Sequence, residues 1–298
     1  MTSTEHAATA TAPAGPSPRR TPRRPARRRD VVPVRHWGRG IATAVVVLLV
    51  VLTGRALVTN PHIEWSVVGD YLLDAAVLEG LWLTLKMTAL GMVIGLVLAV
   101  LVGVMRTARS RVVAAVAWAW IFVFRGVPLV VLLVLLGNLG LFVTDLSLTV
   151  PFTDVELWSR PVKEVVTPFV ASVLALALAG SGYMAEVVRS GLISVGTGQR
   201  EAAKALGLDE ARTLRLVVLP QALRVIVPPL GNELVGMLKA SAIVSVIAGG
   251  DLMTTVLGIS GVTFRTIEML LVASIWYLLV IAVLSAGQFL LERKVAER

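Results

Sequence analysis

The chain is 298 residues long, 56% hydrophobic and only 16% charged, with a mean hydropathy of +0.82. Soluble domains carry about a quarter charged residues, so this composition excludes a water-soluble globule and implies a bilayer. The absence of cysteine removes disulfides and thiolate metal sites, and the net charge of +9 is not a nucleic-acid signature, because nine of the 28 Lys+Arg residues lie between Arg19 and Arg39 and most others flank apolar runs.

Residues 1–40 are rich in Ala, Pro, Thr and Arg and cannot build a core; a disordered, basic cytoplasmic tail is predicted. Its run from Arg19 to Arg29 suits anionic lipid or RNA, but an orientation signal in a solvated tail is the simpler reading. Residues 41–59 are predicted as the first transmembrane helix. The apolar run 41–58 is too long for the core of a cleaved signal, and no small-residue cleavage site follows it. Further apolar runs occupy 81–105, 112–143, 169–185, 225–248 and 269–291. Each run is near or above the ~20 residues that a spanning helix needs. The expected fold is therefore an all-α integral membrane protein of about six transmembrane helices.

Two spans carry packing stripes. Gly91, Gly95, Ala99 and Gly103 recur every four residues, as do Ala171, Ala175 and Ala179, a pattern that lets helix backbones approach closely. No internal repeat is visible, which argues against an inverted-repeat transporter. If the tail is inside, the segments 1–40, 106–111, 186–224 and 292–298 are also inside and hold three quarters of the Lys+Arg. The outer loops proper then hold only Arg160, Lys163 and Arg265 among many acids, as the positive-inside rule requires. Both termini are predicted to be cytoplasmic. Trp37, Trp65, Trp82 and Trp158 fall near proposed interfaces, whereas Trp118, Trp120 and Trp276 do not. His6, His36 and His62 lie outside the long apolar runs, so neither a histidine relay nor a metal site is expected.

Residues 198–220 are the most informative stretch. Glu201 to Leu206 favours helix, Gly207 supplies the positive φ of a helix stop, and Asp209 is placed to cap a second helix carrying Leu214, Val217 and Val218. Pro220 is expected to limit that helix. The result is a helix–turn–helix elbow on the basic side of the membrane, with Ala202, Ala203 and Ala205 forming a smooth surface for another protein's groove.

Here the sequence resembles a known family. Glu201-Ala202-Ala203, three residues, Gly207, nine residues, Val217, one residue, Leu219-Pro220 resembles the EAA loop of ABC importer permeases, with Val217 for the usual Ile. The run from Gly182 through Tyr183, Ala185, Glu186 and Arg189 to Leu192 resembles the AYxAExxRxGI signature of polar amino-acid permeases, with Gly182 for Ala and Leu192 for Ile. Arg125-Gly126-Val127-Pro128 resembles that family's RGTP, with Val127 for Thr. Pro220 to Arg224, Pro228 to Asn232 and Leu238 to Ser241 also follow it, the last without the usual Asp or Asn at Ala240.

The resemblance implies a type I importer transmembrane domain over 77–292, preceded by one extra span and followed by a short cytoplasmic tail, 293–298. It further implies a bacterial plasma-membrane location and an elbow docked on a dimer of separate ATP-binding subunits through Glu201, Ala202, Ala203, Gly207, Leu219 and Pro220. A second permease subunit, identical or related, and an extracytoplasmic substrate-binding protein complete the implied machine. No cofactor and no nucleic-acid partner are implied; membrane lipid is. The chain holds no Walker A sequence, G-x-x-x-x-G-K-[ST], and no nucleophile–base arrangement or zinc spacing, so neither ATP hydrolysis nor other catalysis is expected of it.

Charges inside the hydrocarbon cost ~2.5–3.5 kcal/mol each on insertion scales and need a partner or a wet cavity. Lys86, near a span end, is expected to snorkel. Arg125, beside a predicted break at Gly126 and Pro128, either lines a pathway or satisfies freed carbonyls. Glu186, Asn232, Glu233, Lys239, Ser241 and Ser245 complete a candidate substrate route, with Lys239 meeting a carboxylate and Glu233 an ammonium. An interhelical ion pair, with Glu186 as one partner for Lys239, is the alternative. Of whole-protein functions, an ion-gradient-driven secondary transporter using these charges is the rival; a scaffold without transport leaves the elbow and buried charges unexplained.

Overall fold

The computed structural model describes residues 37–149 and 156–296. The predicted tail, apart from its last residues, and the final two residues of the chain lie outside the described residues. The chain divides into two units, residues 1–59 and 60–298.

In the first unit, α1 (Trp37–Val58) realises the predicted first span. No charged residue falls between Arg39 and Arg55, and every side chain from 38 to 58 is exposed, as suits a helix apolar on all faces.

The second unit starts with α2 (Trp65–Leu72), followed by α3 (Ala75–Arg106). Asp74 caps α3 by accepting from the Ala76 N–H at 2.9 Å. The predicted run 112–143 is not one straight helix: α4 (Arg111–Gly126) and α5 (Leu129–Gly137) meet at 95°. Pro128, which lacks an N–H and forces extended backbone on the preceding residue, accounts for the break, with Val127 at ψ 124°. A 3-10 turn (Leu139–Leu141) leads to an antiparallel hairpin, β1 (Asp145–Thr149) and β2 (Glu156–Pro161), and then to the short α6 (Val162–Val165). This hairpin, in a region read only as an outer loop, is an addition to a fold that is otherwise helical among the described residues.

Thr167 caps α7 (Pro168–Ser194), which is followed by α8 (Thr197–Ala205), α9 (Glu210–Arg212), a π-helical turn (Thr213–Val218) and α10 (Leu219–Ala240). Here the sequence expectation is corrected. Pro220 does not end the second elbow helix, which runs on through a 3-10 segment (Ser241–Ile247) as one apolar stretch, Glu210–Ile247. Pro220 sits in the first turn of α10, where the wider π-helical turn leaves no i−4 bond for its missing N–H to break. The last helices are α11 (Leu252–Thr263), capped by Asp251, and α12 (Thr266–Ala296). Among the described residues five helices are long and apolar enough to cross a membrane, or six if α4 and α5 form one broken span.

The core centres on α7. Its contact with α3 is made by the α3 stripe: Gly91, Gly95, Ala99 and Gly103 are all buried, and the glycines meet Leu176, Ala177, Met184, Ala185 and Val188 of α7, a different face from the predicted Ala171, Ala175 and Ala179 stripe. A Cβ added at Gly95 would lie 2.9 Å from the Ala177 carbonyl oxygen, and one at Gly103 2.9 Å from that of Ala185. Met87, Leu133, Leu176 and Met184 fill the layer beside this seam.

The connecting segments sort into two ends. At one end, Arg265 pairs with Glu64, Glu268 accepts from the Glu64 N–H at 3.2 Å, and the Trp276 indole donates to the Leu72 carbonyl at 2.8 Å. The neighbouring Glu64 carboxylate raises the Arg265 guanidinium further above its ordinary pKa. At the other end, Arg109 and Lys204 each stand 3.9 Å from Glu210. Segments grouped by charge as outer, and segments grouped as inner, thus meet their own kind.

Candidate functional site

The elbow forms as its residues require. Helix α8 ends in a double hydrogen-bonded C-cap: the Leu208 N–H donates to the Ala203 carbonyl at 3.1 Å and the Gly207 N–H to the Lys204 carbonyl at 2.9 Å. Gly207 takes φ +77°, the left-handed conformation that a Cβ would strain. Asp209 then caps the next helix, accepting from the Arg212 N–H at 2.7 Å. A small cluster of Val195, Val218, Ala222 and Ile226 fastens the elbow to α7 and α10.

Glu201, Ala202, Ala205, Leu219 and Pro220 are exposed. Ala203 is not. At 3% exposure it packs inside the elbow, so the smooth outer surface expected of three alanines is presented by Ala202 and Ala205. Helical spacing puts neighbouring residues about 100° apart, which is why one member of a consecutive pair turns inward.

Among the predicted pathway residues, Arg125, Glu186 and Glu233 come together. They line a cavity of about 330 Å³ between α4, α7 and α10, with Tyr183, Ser190 and Pro229 completing its wall. A smaller cavity of about 170 Å³ shares Tyr183 and Glu233 and continues past Gly180 and Gly236 to Ala240. The Arg125 guanidinium lies over the Tyr183 ring at 5.2 Å, where the π face favours a cation, and the Tyr183 hydroxyl reaches the Arg125 carbonyl at 3.5 Å. Glu186 is paired along its own helix with Arg189, whose Nε donates to both of its oxygens at 3.0 Å. Its partner is therefore not Lys239.

The other four lie elsewhere. Lys239 is exposed and lines neither cavity. Asn232 turns towards α12, accepting from the Gln288 amide at 3.2 Å. Ser241 is buried and donates to the Leu238 carbonyl at 2.6 Å, and Ser245 to that of Ala242 at 2.9 Å, so both hydroxyls serve their own helix. Lys86, expected to snorkel, lies over the Trp82 ring at 5.1 Å.

Tyr183 and Ser190 were not among the candidates. Both occur in or beside the Gly182 to Leu192 run, and spacing from Glu186 was the available signal: Tyr183 is one turn before Glu186 and Ser190 one turn after it.

The arrangement suits a zwitterion. A guanidinium on α4 and a carboxylate on α10 line one open cavity, with the Tyr183 ring against the guanidinium. Pro229 has no N–H to offer the Val225 carbonyl, so a backbone acceptor is freed in the same wall. Among the described residues no cluster suited to a metal ion occurs.

Residues 91–297 match the family described as binding-protein-dependent transport system inner membrane component. The chain is 37% identical over 265 residues to the arginine transport system permease protein ArgU of Corynebacterium glutamicum, covering 89% of this chain and 82% of that protein. It is 32% identical over 231 residues to the glutamine transport system permease protein GlnP of Escherichia coli (strain K12), covering 78% and 97% respectively. Among solved structures, an amino acid ABC transporter crystallised with histidines superimposes with a TM-score of 0.61 at 36% identity, over 74% of this chain and 94% of that one.

Proposed function

Because this chain belongs to the family of binding-protein-dependent transport system inner membrane components, we propose that it carries a polar amino acid across the membrane through the cavity between α4, α7 and α10. It is a multi-pass inner-membrane permease subunit of an ABC-type amino-acid importer, and its relatives are transport subunits. The ion-gradient-driven alternative is not favoured. In our reading ATP is hydrolysed on a dimer of separate ATP-binding subunits seated on the elbow at 198–220, a second permease subunit, identical or related, completes the bundle, and a binding protein delivers substrate from outside. Both termini are then cytoplasmic, as the distribution of Lys and Arg supports.

The observation that carries the reading is the joint presence of Arg125 and Glu233 on one cavity. Arg125 would receive the substrate carboxylate while Tyr183 holds its guanidinium in place. Glu186 is occupied by Arg189, which leaves Glu233 for the ammonium. Lys239, first considered for the carboxylate, stands outside this space.

The test is uptake by the assembled importer in proteoliposomes. Glu233→Gln and Arg125→Gln should each lower substrate uptake by about an order of magnitude, the cost of leaving one charge of the bound zwitterion unpaired. Lys239→Gln should change it little. Full uptake with unaltered selectivity in both cavity variants would refute the assignment. Gradient-driven uptake by this polypeptide alone, without an ATP-binding subunit, would refute the ATP-driven mechanism.

A further inference from the structure

At the elbow end, a further cavity of about 520 Å³ opens between the turn after α3, helix α8 and the π-helical turn. Arg109, Arg200 and Lys204 line it against a single carboxylate, Glu210. Glu210 holds two of these cations only loosely: both separations are 3.9 Å, and the Arg109 side chain is 96% exposed. Pairs of that kind neutralise little charge. The cavity is therefore net positive. Arg200 is pinned by donating from Nη2 to the Leu192 carbonyl at 2.8 Å, which leaves further guanidinium donors unspent.

A second, independent feature is Thr213. It lines the same cavity, is 5% exposed, and its Oγ1 has no hydrogen-bond partner among the described residues. A helical threonine usually donates to the carbonyl four residues back, which here accepts the Thr213 N–H at 2.9 Å, but the Thr213 hydroxyl makes no such bond. A buried hydroxyl without a partner calls for an acceptor, and Thr213 is part of this cavity's wall. Leu214 and Val218 supply an apolar wall beside these donors.

Cations, an unspent hydroxyl and an aliphatic wall at a membrane end form an amphiphilic receptor. We propose that this cavity binds the phosphate head of an anionic phospholipid from the adjoining leaflet. Arg109 and Lys204 hold the phosphate, the Thr213 hydroxyl donates to it, and the glycerol and first methylenes lie along Leu214 and Val218. A protein carboxylate would use the cations but leave the aliphatic wall unmatched. A lipid seated there bridges the end of α3 to the elbow, so the composition of that leaflet would tune how firmly the elbow is held. Basic pockets at membrane-facing helix ends recognise anionic headgroups by the same electrostatics.

The experiment is native mass spectrometry of the full chain in detergent, titrated with phosphatidylglycerol or with phosphatidylcholine of the same acyl chains. Wild type should retain phosphatidylglycerol preferentially. Arg109→Gln with Lys204→Gln should lower that retention on the order of tenfold, given the loss of two headgroup cations, while Arg109→Lys with Lys204→Arg should keep it. Thr213→Val should weaken it without abolishing it. Equal retention in wild type and the double Gln variant overturns the proposal. Full displacement by inorganic phosphate overturns the lipid as the source. Unchanged lipid retention with loss of a co-purified ATP-binding subunit overturns it in favour of a protein contact.

Discussion

Asp251 illustrates how one side chain can hold a fold together at an electrostatic cost. It is fully buried in the turn before α11, where its carboxylate accepts from the Met253 N–H at 3.0 Å, from the Thr254 N–H at 3.3 Å and from the Thr254 hydroxyl. Burial pushes its pKa above the ordinary aspartate value, and these hydrogen bonds only partly oppose that. A raised carboxylate pKa means that the folded chain binds the proton more tightly than the unfolded one, so stability rises as pH falls through the folded pKa. Asp251→Asn keeps a capping oxygen and removes the buried charge; it should match or exceed wild-type thermal stability at neutral pH and lose that advantage in mild acid. Asp251→Ala should lose about 1 kcal/mol through the missing cap. Thermal melts in detergent across this range check both, and a wild type that gains nothing relative to the Asn variant in acid would show that burial does not dominate. The same logic of local partners sorted the pathway candidates. Charge put Arg125, Glu186, Glu233 and Lys239 on one candidate route; the first three line one cavity, and nothing in the linear order could separate Lys239 from them, because which face of α10 meets α4 and α7 is decided by packing.

At the scale of elements, the seam between α3 and α7 and the joint before α10 carry the architecture. The α3 stripe was visible as glycine and alanine at every fourth position, but the face of α7 it meets, Ala177 with Met184, Ala185 and Val188, was not the alanine stripe the spacing picked out. The α3 glycines let the two backbones approach, since lipid offers no hydrophobic drive for helices to associate and close packing supplies the dispersion instead. Gly95→Leu places a branched side chain where even a Cβ lies 2.9 Å from the Ala177 carbonyl. It should destabilise by about 3 kcal/mol or more, at the upper end for overpacking. Detergent-resistant thermal unfolding should show it, and Gly54→Leu, at a site with open space around it, should not. The joint was less legible. A proline after a predicted helix reads as a stop, and only the π-helical turn before it explains why Glu210–Ile247 continues.

For the permease domain as a whole, that continuity joins the two functional regions. Glu210 in the elbow and Glu233 at the cavity lie on one helical stretch, about 35 Å apart at 1.5 Å per residue. In our reading a displacement of the elbow would move the cavity wall, with the π-helical turn and the Pro228-Pro229 pair as the places where a helix bends most readily. In our reading the mover is the ATP-binding subunit. A cysteine at exposed Ala202 should crosslink to it in the assembled transporter in a nucleotide-dependent way, whereas one at buried Ala203 should not. Crosslinks from Ala203 alone would mean that the elbow docks by its opposite face.

Composition and the spacing of apolar runs determined the membrane class and the number of spans, because a bilayer constrains length and polarity residue by residue. Gly207 and Asp209 determined the elbow's turn, because positive φ and capping are local chemistry. Gly126 and Pro128 marked the break between α4 and α5, but tertiary structure alone decided its 95° angle, the inward turn of Ala203, the hairpin, and the gathering of Arg125, Tyr183 and Glu233 around one cavity. Those outcomes depend on which helix faces meet, and an angle about a helix axis relative to a distant neighbour is set by packing between segments far apart in the chain.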